Sequence, residues 1–150
     1  MIKINRKVEY ALMVLRLMLD RTSDELTTAR EVCDRYKAPF DTIAKVMQQL
    51  NLAGVLVSVK GVKGGYYLNF DLTKLSLVTL VELIEGKSFT IDCHDGPCEL
   101  LETCNVSGPV KRLNQYATAF FSSISVYEIL SDSVAVPQIA PLCPSFKEHA

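Results

Sequence analysis

The sequence predicts a mainly α-helical fold with a small β-hairpin wing: a winged helix-turn-helix followed by a long dimerisation helix. Three observations predict it. Residues 6–53 carry three amphipathic helical patterns separated by short breaks, residues 55–70 form two β-prone runs around a glycine-rich turn, and residues 110–124 return to helical spacing.

The first helix is expected from Arg6 to Asp20, where Val8, Leu12, Leu15 and Leu19 recur at steps of three and four and Ala11, Val14 and Met18 widen the stripe. Polar residues from Arg21 to Leu26 break it. Thr28 and Glu31 then stand at capping-box spacing, in which hydroxyl and carboxylate satisfy each other's free backbone N–H groups, and a short helix to about Tyr36 follows. In the turn Lys37-Ala38-Pro39-Phe40, proline cannot continue the preceding helix but suits the first turn of the next. The third helix, about Phe40 to Ala53, is expected to bury Ile43, Val46, Met47 and Leu50 and to present Thr42, Lys45 and Gln49, with Gly54 ending it.

Val55 to Val59 is rich in branched residues and reads as a strand, Lys60 to Gly65 as a basic glycine-rich turn, and Tyr66 to Phe70 as the returning strand. Ser76 caps a further helix carrying Leu77, Leu80, Val81 and Ile84, which stops at Gly86. After a cysteine-bearing segment, Ser107-Gly108-Pro109 opens the long helix, with Val110, Leu113, Ala117, Phe120, Phe121 and Ile124 on one side. Two phenylalanines so far from the first core suggest a partner chain. Ser125 to Glu128 repeats the capping-box spacing, and Pro137, Pro141 and Pro144 mark an irregular tail. The expected divisions are 1–86, the winged helix-turn-helix; 87–106, the cysteine loop; 107–131, the dimerisation helix; and 132–150, the tail.

With 150 residues, 49% hydrophobic and 22% charged, the chain has the composition of an ordinary globular protein. No apolar run reaches the roughly 18 residues a membrane span needs, and the stretch from Met1 to Lys7 lacks a signal-peptide core. A cytoplasmic protein with no membrane association is expected. Residues 1–68 hold 11 Lys and Arg against 7 Asp and Glu, whereas residues 69–150 hold 5 against 10. The mildly basic front half fits phosphate contact.

In a helix-turn-helix the second helix enters the major groove. Thr42, Lys45 and Gln49 are therefore the expected base-contacting residues. Lys60 and Lys63 supply charge for phosphates, while Gly61, Gly64 and Gly65 let the wing backbone come close to DNA. The five cysteines are an odd number, which argues against a disulfide framework and for metal, redox or burial roles. Cys93, Cys98 and Cys104 cluster with His94 and Asp95 between them, and clustering favours metal. Cys33 reads as a small buried hydrophobe, Cys143 as a surface thiol or an extra ligand, and His149 as solvated.

Three stretches resemble the Rrf-two (Rrf2) family of bacterial winged helix-turn-helix regulators: Val8 to Leu12, Ala44 to Gly54, and the wing from Val59 to Tyr66 with its basic residue, glycine and Gly-Gly-Tyr. The resemblance covers about residues 2–130. It implies a homodimer that sets two recognition helices and two wings on a palindromic double-stranded operator. It also implies an iron-sulfur cluster, 2Fe-2S or 4Fe-4S, on Cys93, Cys98 and Cys104, sensing redox state, nitric oxide or iron supply. The chain departs from IscR-like relatives in its C-x4-C-x5-C spacing and in Ser107, which stands where they carry a histidine ligand. NsrR-like relatives take an N-terminal carboxylate instead. Glu9 occupies that place and is the expected fourth ligand, with His94 and Asp95 as competitors.

Other readings of the thiols are zinc, a thiol/disulfide switch, or a relic site in a cluster-free regulator controlled by a protein partner or thiol metabolite. A small thiol redox protein is a further class. An enzyme is not expected, since there is no Cys-x-x-Cys pair, nucleotide-binding glycine motif or acid-base constellation.

Overall fold

The computed structural model describes residues 4–22, 25–87, 89, 98–100 and 102–132. Helix α1 (Arg6–Leu19) begins where the Asn5 side chain accepts a hydrogen bond from the Lys7 N–H at 3.1 Å, satisfying one of the amides a helix start leaves free. It buries Val8, Ala11, Val14, Leu15, Leu17 and Met18. Leu12 and Leu19, expected on the stripe, are only half-buried at its edge.

Helix α2 (Ala29–Tyr36) starts at Thr28, whose hydroxyl accepts from the Glu31 N–H at 3.2 Å. The other half of the expected capping box is diverted. The Arg21 guanidinium takes the Glu31 carboxylate, Nη1 donating to Oε2 at 3.2 Å and Nη2 bonding Oε1, because a two-pronged charge-assisted contact outweighs a single amide. Lys37 (φ 54°) makes the left-handed turn out of α2. Helix α3 (Phe40–Leu52) buries Ile43, Val46, Met47 and Leu50 as expected, and Gly54 (φ 76°) follows its end.

Strands β1 (Leu56–Val59) and β2 (Gly65–Leu68) pair antiparallel from Leu56↔Leu68 to Val59↔Gly65. Each is one residue shorter than expected: at the open end the Val55 N–H goes back to the Leu50 carbonyl at 2.9 Å, and only the Val55 carbonyl continues the ladder, accepting from the Asn69 N–H at 3.1 Å. Thr27 adds a bridge to β2: its N–H donates to the Tyr66 carbonyl at 2.8 Å and its carbonyl accepts from Tyr66 at 2.9 Å. The Thr27 hydroxyl, fully buried, accepts from Arg21 Nη1 at 2.8 Å. Arg21 thus fastens the base of the wing to α2.

This contact has a pH signature. The hydrogen bond from Arg21 holds the Glu31 carboxyl below its ordinary value of 4.5, against an opposing effect of partial burial. A depressed carboxyl pKa stabilises the fold above the unfolded value and loses that contribution as pH falls through the folded one. The difference in melting temperature between wild type and Glu31→Gln is expected to be full at neutral pH and to close below about pH 4.5. A constant difference would assign the effect to packing alone.

A single 3-10 turn (Leu72–Lys74) leads to helix α4 (Leu77–Glu85), which Ser76 caps by accepting from the Thr79 N–H at 3.1 Å and which ends at Gly86 (φ 67°). Helix α5 (Ser107–Ser122) follows, then α6 (Val126–Leu130), opened by the complete capping box between Ser125 and Glu128. The core gathers α1, α3 and α4 around Leu15, Met47, Leu50, Leu80 and Ile84, and α6 joins it through Val126 and Leu130. Helix α5 buries none of its residues. It is pinned at its far end, where the Leu77 N–H donates to the Ile124 carbonyl at 2.9 Å and the Val126 N–H to that of Leu75 at 2.7 Å. Phe121 is half-buried against Phe89 (5.3 Å between rings), whereas Leu113, Tyr116 and Phe120 are exposed. The predicted tail lies, from residue 133 on, outside the described residues, as do Cys143 and His149.

Candidate nucleic-acid interface

The polar face of α3 is set by its buried stripe. With Ile43, Val46, Met47 and Leu50 turned inward, positions spaced by four, three and four on the opposite side form one exposed ridge: Asp41, Lys45, Gln48 and Leu52. Lys45 is where the sequence placed it. Thr42 is half-exposed beside the ridge. Gln49 is turned toward α4, its side-chain amide donating to the Ile84 carbonyl at 3.3 Å. That carbonyl belongs to the last turn of α4, where helix acceptors lack intrahelical partners. Gln48 is the exposed residue that sequence reading missed. Its signal was angular, since it lies three positions after Lys45.

The wing brings a second set of residues forward. Lys60, Gly61, Val62 and Lys63 are exposed at its tip, and Val62 is fully open to solvent. The glycines serve different ends. Gly61 has φ 128°, a conformation that side chains rarely adopt, with open space around it. A Cβ on Gly64 would lie 2.4 Å from the Val59 carbonyl oxygen, and one on Gly65 would lie 3.0 Å from that of Thr27. The first tightens the hairpin; the second lets β2 approach the Thr27 bridge.

If each wing lysine neutralises one phosphate, Lys60→Ala and Lys63→Ala should each flatten the dependence of log affinity on log salt by about one unit, across DNA sequences alike. Binding isotherms at several salt concentrations measure this. Unchanged slopes would place the lysines away from the backbone.

A second cluster lies between α4 and α5. Cys98 is exposed, Cys104 is half-buried, and both are free thiols. Cys93, His94 and Asp95 lie outside the described residues. Among the described residues no three His, Cys, Asp or Glu side chains gather as a metal site. Cys104 stands two residues before Val106, the N-cap of α5, whose apolar side chain makes no cap hydrogen bond. The first turn of a helix carries partial positive charge, which favours thiolates and anionic groups. This donor set fits an iron-sulfur group, whose usual ligands are thiolates. Cys33, by contrast, packs half-buried against the core, where burial and then the Asp34 charge push its thiol pKa up. That suits a small hydrophobe rather than a ligand.

Glu9, the expected fourth ligand, is exposed on α1 and forms a 3.9 Å ion pair with Arg6. It lines an open hollow of about 540 Å³ with Ile4, Asn5, Arg6 and Glu85. Glu85 closes α4, immediately before Gly86 and the cysteine loop. Phe89, three residues into that loop, donates its N–H to Glu82 Oε1 at 3.2 Å. The loop therefore departs from the α4 turn that bonds α3 through Gln49.

Comparison with known proteins matches residues 4–132 to the Rrf2 family model, described as an iron-dependent transcriptional regulator. The chain is 30% identical over 125 residues to the HTH-type transcriptional repressor NsrR of Streptomyces coelicolor, spanning 83% of this chain and 82% of that one. Its backbone resembles a transcriptional regulator from Listeria innocua, with a TM-score of 0.68 at 19% identity over 89% of both chains. It also resembles CymR, the global cysteine regulator of B. subtilis, with a TM-score of 0.64 at 18% identity over 87% of this chain and 97% of that one. At such identities these likenesses establish the winged-helix fold alone.

Proposed function

This chain belongs to the Rrf2 family of transcriptional regulators, and on that premise we propose that it is a cytoplasmic homodimeric switch on a palindromic operator, set by an iron-sulfur cluster on its cysteine loop. The observation that supports the sensing half is two free thiols in the segment between α4 and α5, Cys98 exposed and Cys104 half-buried two residues before the N-cap of α5. Cys93 supplies the third thiolate and Glu9 a carboxylate, from one subunit or the other. When bound, the cluster supplies a local charge and redox state that oxidants, nitric oxide or iron supply change.

The chain's own residues carry that change to DNA. A shift of the cysteine loop acts on the last turn of α4, through Phe89 on Glu82 and through Glu85 beside Glu9. The Gln49 to Ile84 hydrogen bond ties the same turn to α3, so the tilt of Lys45 and Gln48 follows the loop. The wing lysines add charge that holds phosphates without reading sequence.

Helix α5 supplies the dimer contact in this reading. Its Leu113 and Tyr116 are 56% and 73% exposed, and an apolar helix face left open in one chain is covered economically by a second copy. Leu113→Asp with Phe120→Asp is expected to give the monomer mass in sedimentation and to weaken operator binding at least tenfold, since one half-site then binds without the other. A doubly substituted protein that stays dimeric would move the interface elsewhere.

Iron and acid-labile sulfide content, with visible and Mössbauer spectra of anaerobically purified protein, test the cofactor and its type. A coloured protein with both elements supports the cluster. Zinc alone, or no metal after reconstitution, overturns it. The exposed Cys98 thiol then favours a second reading, a cluster-free regulator of the same fold that responds to a thiol metabolite or protein partner.

A further inference from the structure

The exposed ridge of the recognition helix contains a carboxylate, which is out of place against a polyanion. Asp41 is the second residue of α3 and is exposed. Among the described residues its side chain makes no hydrogen bond or ion pair, and that of Lys45, one turn further on, is likewise in no ion pair. Near phosphates a bare acid weakens binding to every sequence alike. An acid in the first turn does favour the helix dipole, and α3 has no side-chain cap at Pro39. Neighbouring first-turn positions would serve the dipole as well. Asp41 occupies the one aligned with Lys45 and Gln48, toward the N-terminal end that a recognition helix inserts among base edges.

We propose that Asp41 is a specificity-determining residue that accepts a hydrogen bond from the N4 amine of a cytosine in each half-site of the operator. This rests on the DNA-binding reading above. In the major groove guanine and thymine present acceptors, and adenine sets its N6 amine beside the N7 acceptor, whereas cytosine offers its amine with no acceptor of its own alongside. Opposite any other base the carboxylate is dehydrated, unpaired and facing lone pairs. Discrimination therefore comes from a penalty on wrong sequences as well as from the bond to the right one. Lys45 and Gln48 complete the ridge with the donors that suit guanine and adenine.

Selection of bound duplexes from a random pool, by wild type, Asp41→Asn and Asp41→Ala, followed by affinity measurements on the selected sites, tests the proposal. Wild type is expected to select cytosine at one fixed position per half-site, and changing that C·G pair to T·A should cost it about tenfold or more in affinity. Both variants should lose most of that discrimination, and Asp41→Ala should bind unrelated duplex more tightly than wild type. A dipole role alone would lower melting temperature and affinity for all sequences equally. Variants that keep the wild-type preference at every position would overturn the proposal while leaving DNA binding intact. If wild type selects no sequence, the DNA-binding reading itself fails, a separate outcome.

Discussion

Gly64→Ala is expected to abolish specific DNA binding and to lower stability by about 1–3 kcal/mol, the usual cost of forcing an added group into a packed site. The added Cβ would fall 2.4 Å from the Val59 carbonyl oxygen and 2.9 Å from that of Gly61. Both are backbone atoms of the same hairpin, so no side chain can swing aside. The turn must open, which breaks the Gly64 N–H to Gly61 carbonyl bond of 3.0 Å and moves Lys60 and Lys63 off their places. A control isolates the cause. Gly108 lies in the first turn of α5 with nothing within 4 Å of a Cβ, and Gly108→Ala should be neutral or slightly stabilising. Thermal melting and duplex titration on both variants measure this. A Gly64→Ala protein that binds like wild type would mean the wing turn is not part of the interface.

The second large effect is expected at Cys98→Ala. Removing one of three thiolates leaves an iron-sulfur group short of its anchoring ligands, so the anaerobically purified variant should be colourless and hold little iron. It should also be insensitive. Whichever affinity state the apo form adopts, the variant should stay in it when oxidant or nitric oxide is added. Cys33→Ala, which removes a half-buried thiol packed against the core, should keep colour and response. Bleaching by both would point to a general loss of folding, and by neither to another set of ligands.

Much of the fold was legible because its boundaries are set by local chemistry. Ser76, Ser125, Gly54 and Gly86 sit where the sequence places caps and stops, since a hydroxyl reaching an amide three residues on, or a left-handed glycine, needs nothing from the rest of the chain. Contacts between distant segments were less legible. Thr27 pairs with Tyr66 across 38 intervening residues, and Glu31 leaves its capping box for Arg21; both depend on where the wing and α2 come to rest.

The site shows the same division. Lys45 is exposed as its position on the polar face led one to expect, whereas residue type could not separate Gln48 from Gln49, both glutamines at adjacent positions. The buried stripe of α3 fixes the outward direction, and the acceptor left open at the end of α4 draws Gln49 away from it. The outward face of α3 is therefore Asp41, Lys45 and Gln48, with Thr42 at its edge, and these are the residues proposed to meet DNA.

The central claim is that the cysteine loop and the DNA face are coupled. Its most direct test is the affinity of the anaerobic protein for its selected operator, measured in one cuvette before and after nitric oxide or oxidant while visible absorbance is followed. Coupling of ordinary strength, about 1–3 kcal/mol, corresponds to a change of roughly 5- to 150-fold. A change of that size, running in step with bleaching and absent in Cys98→Ala, is the predicted result. An unchanged affinity through complete bleaching would contradict the account.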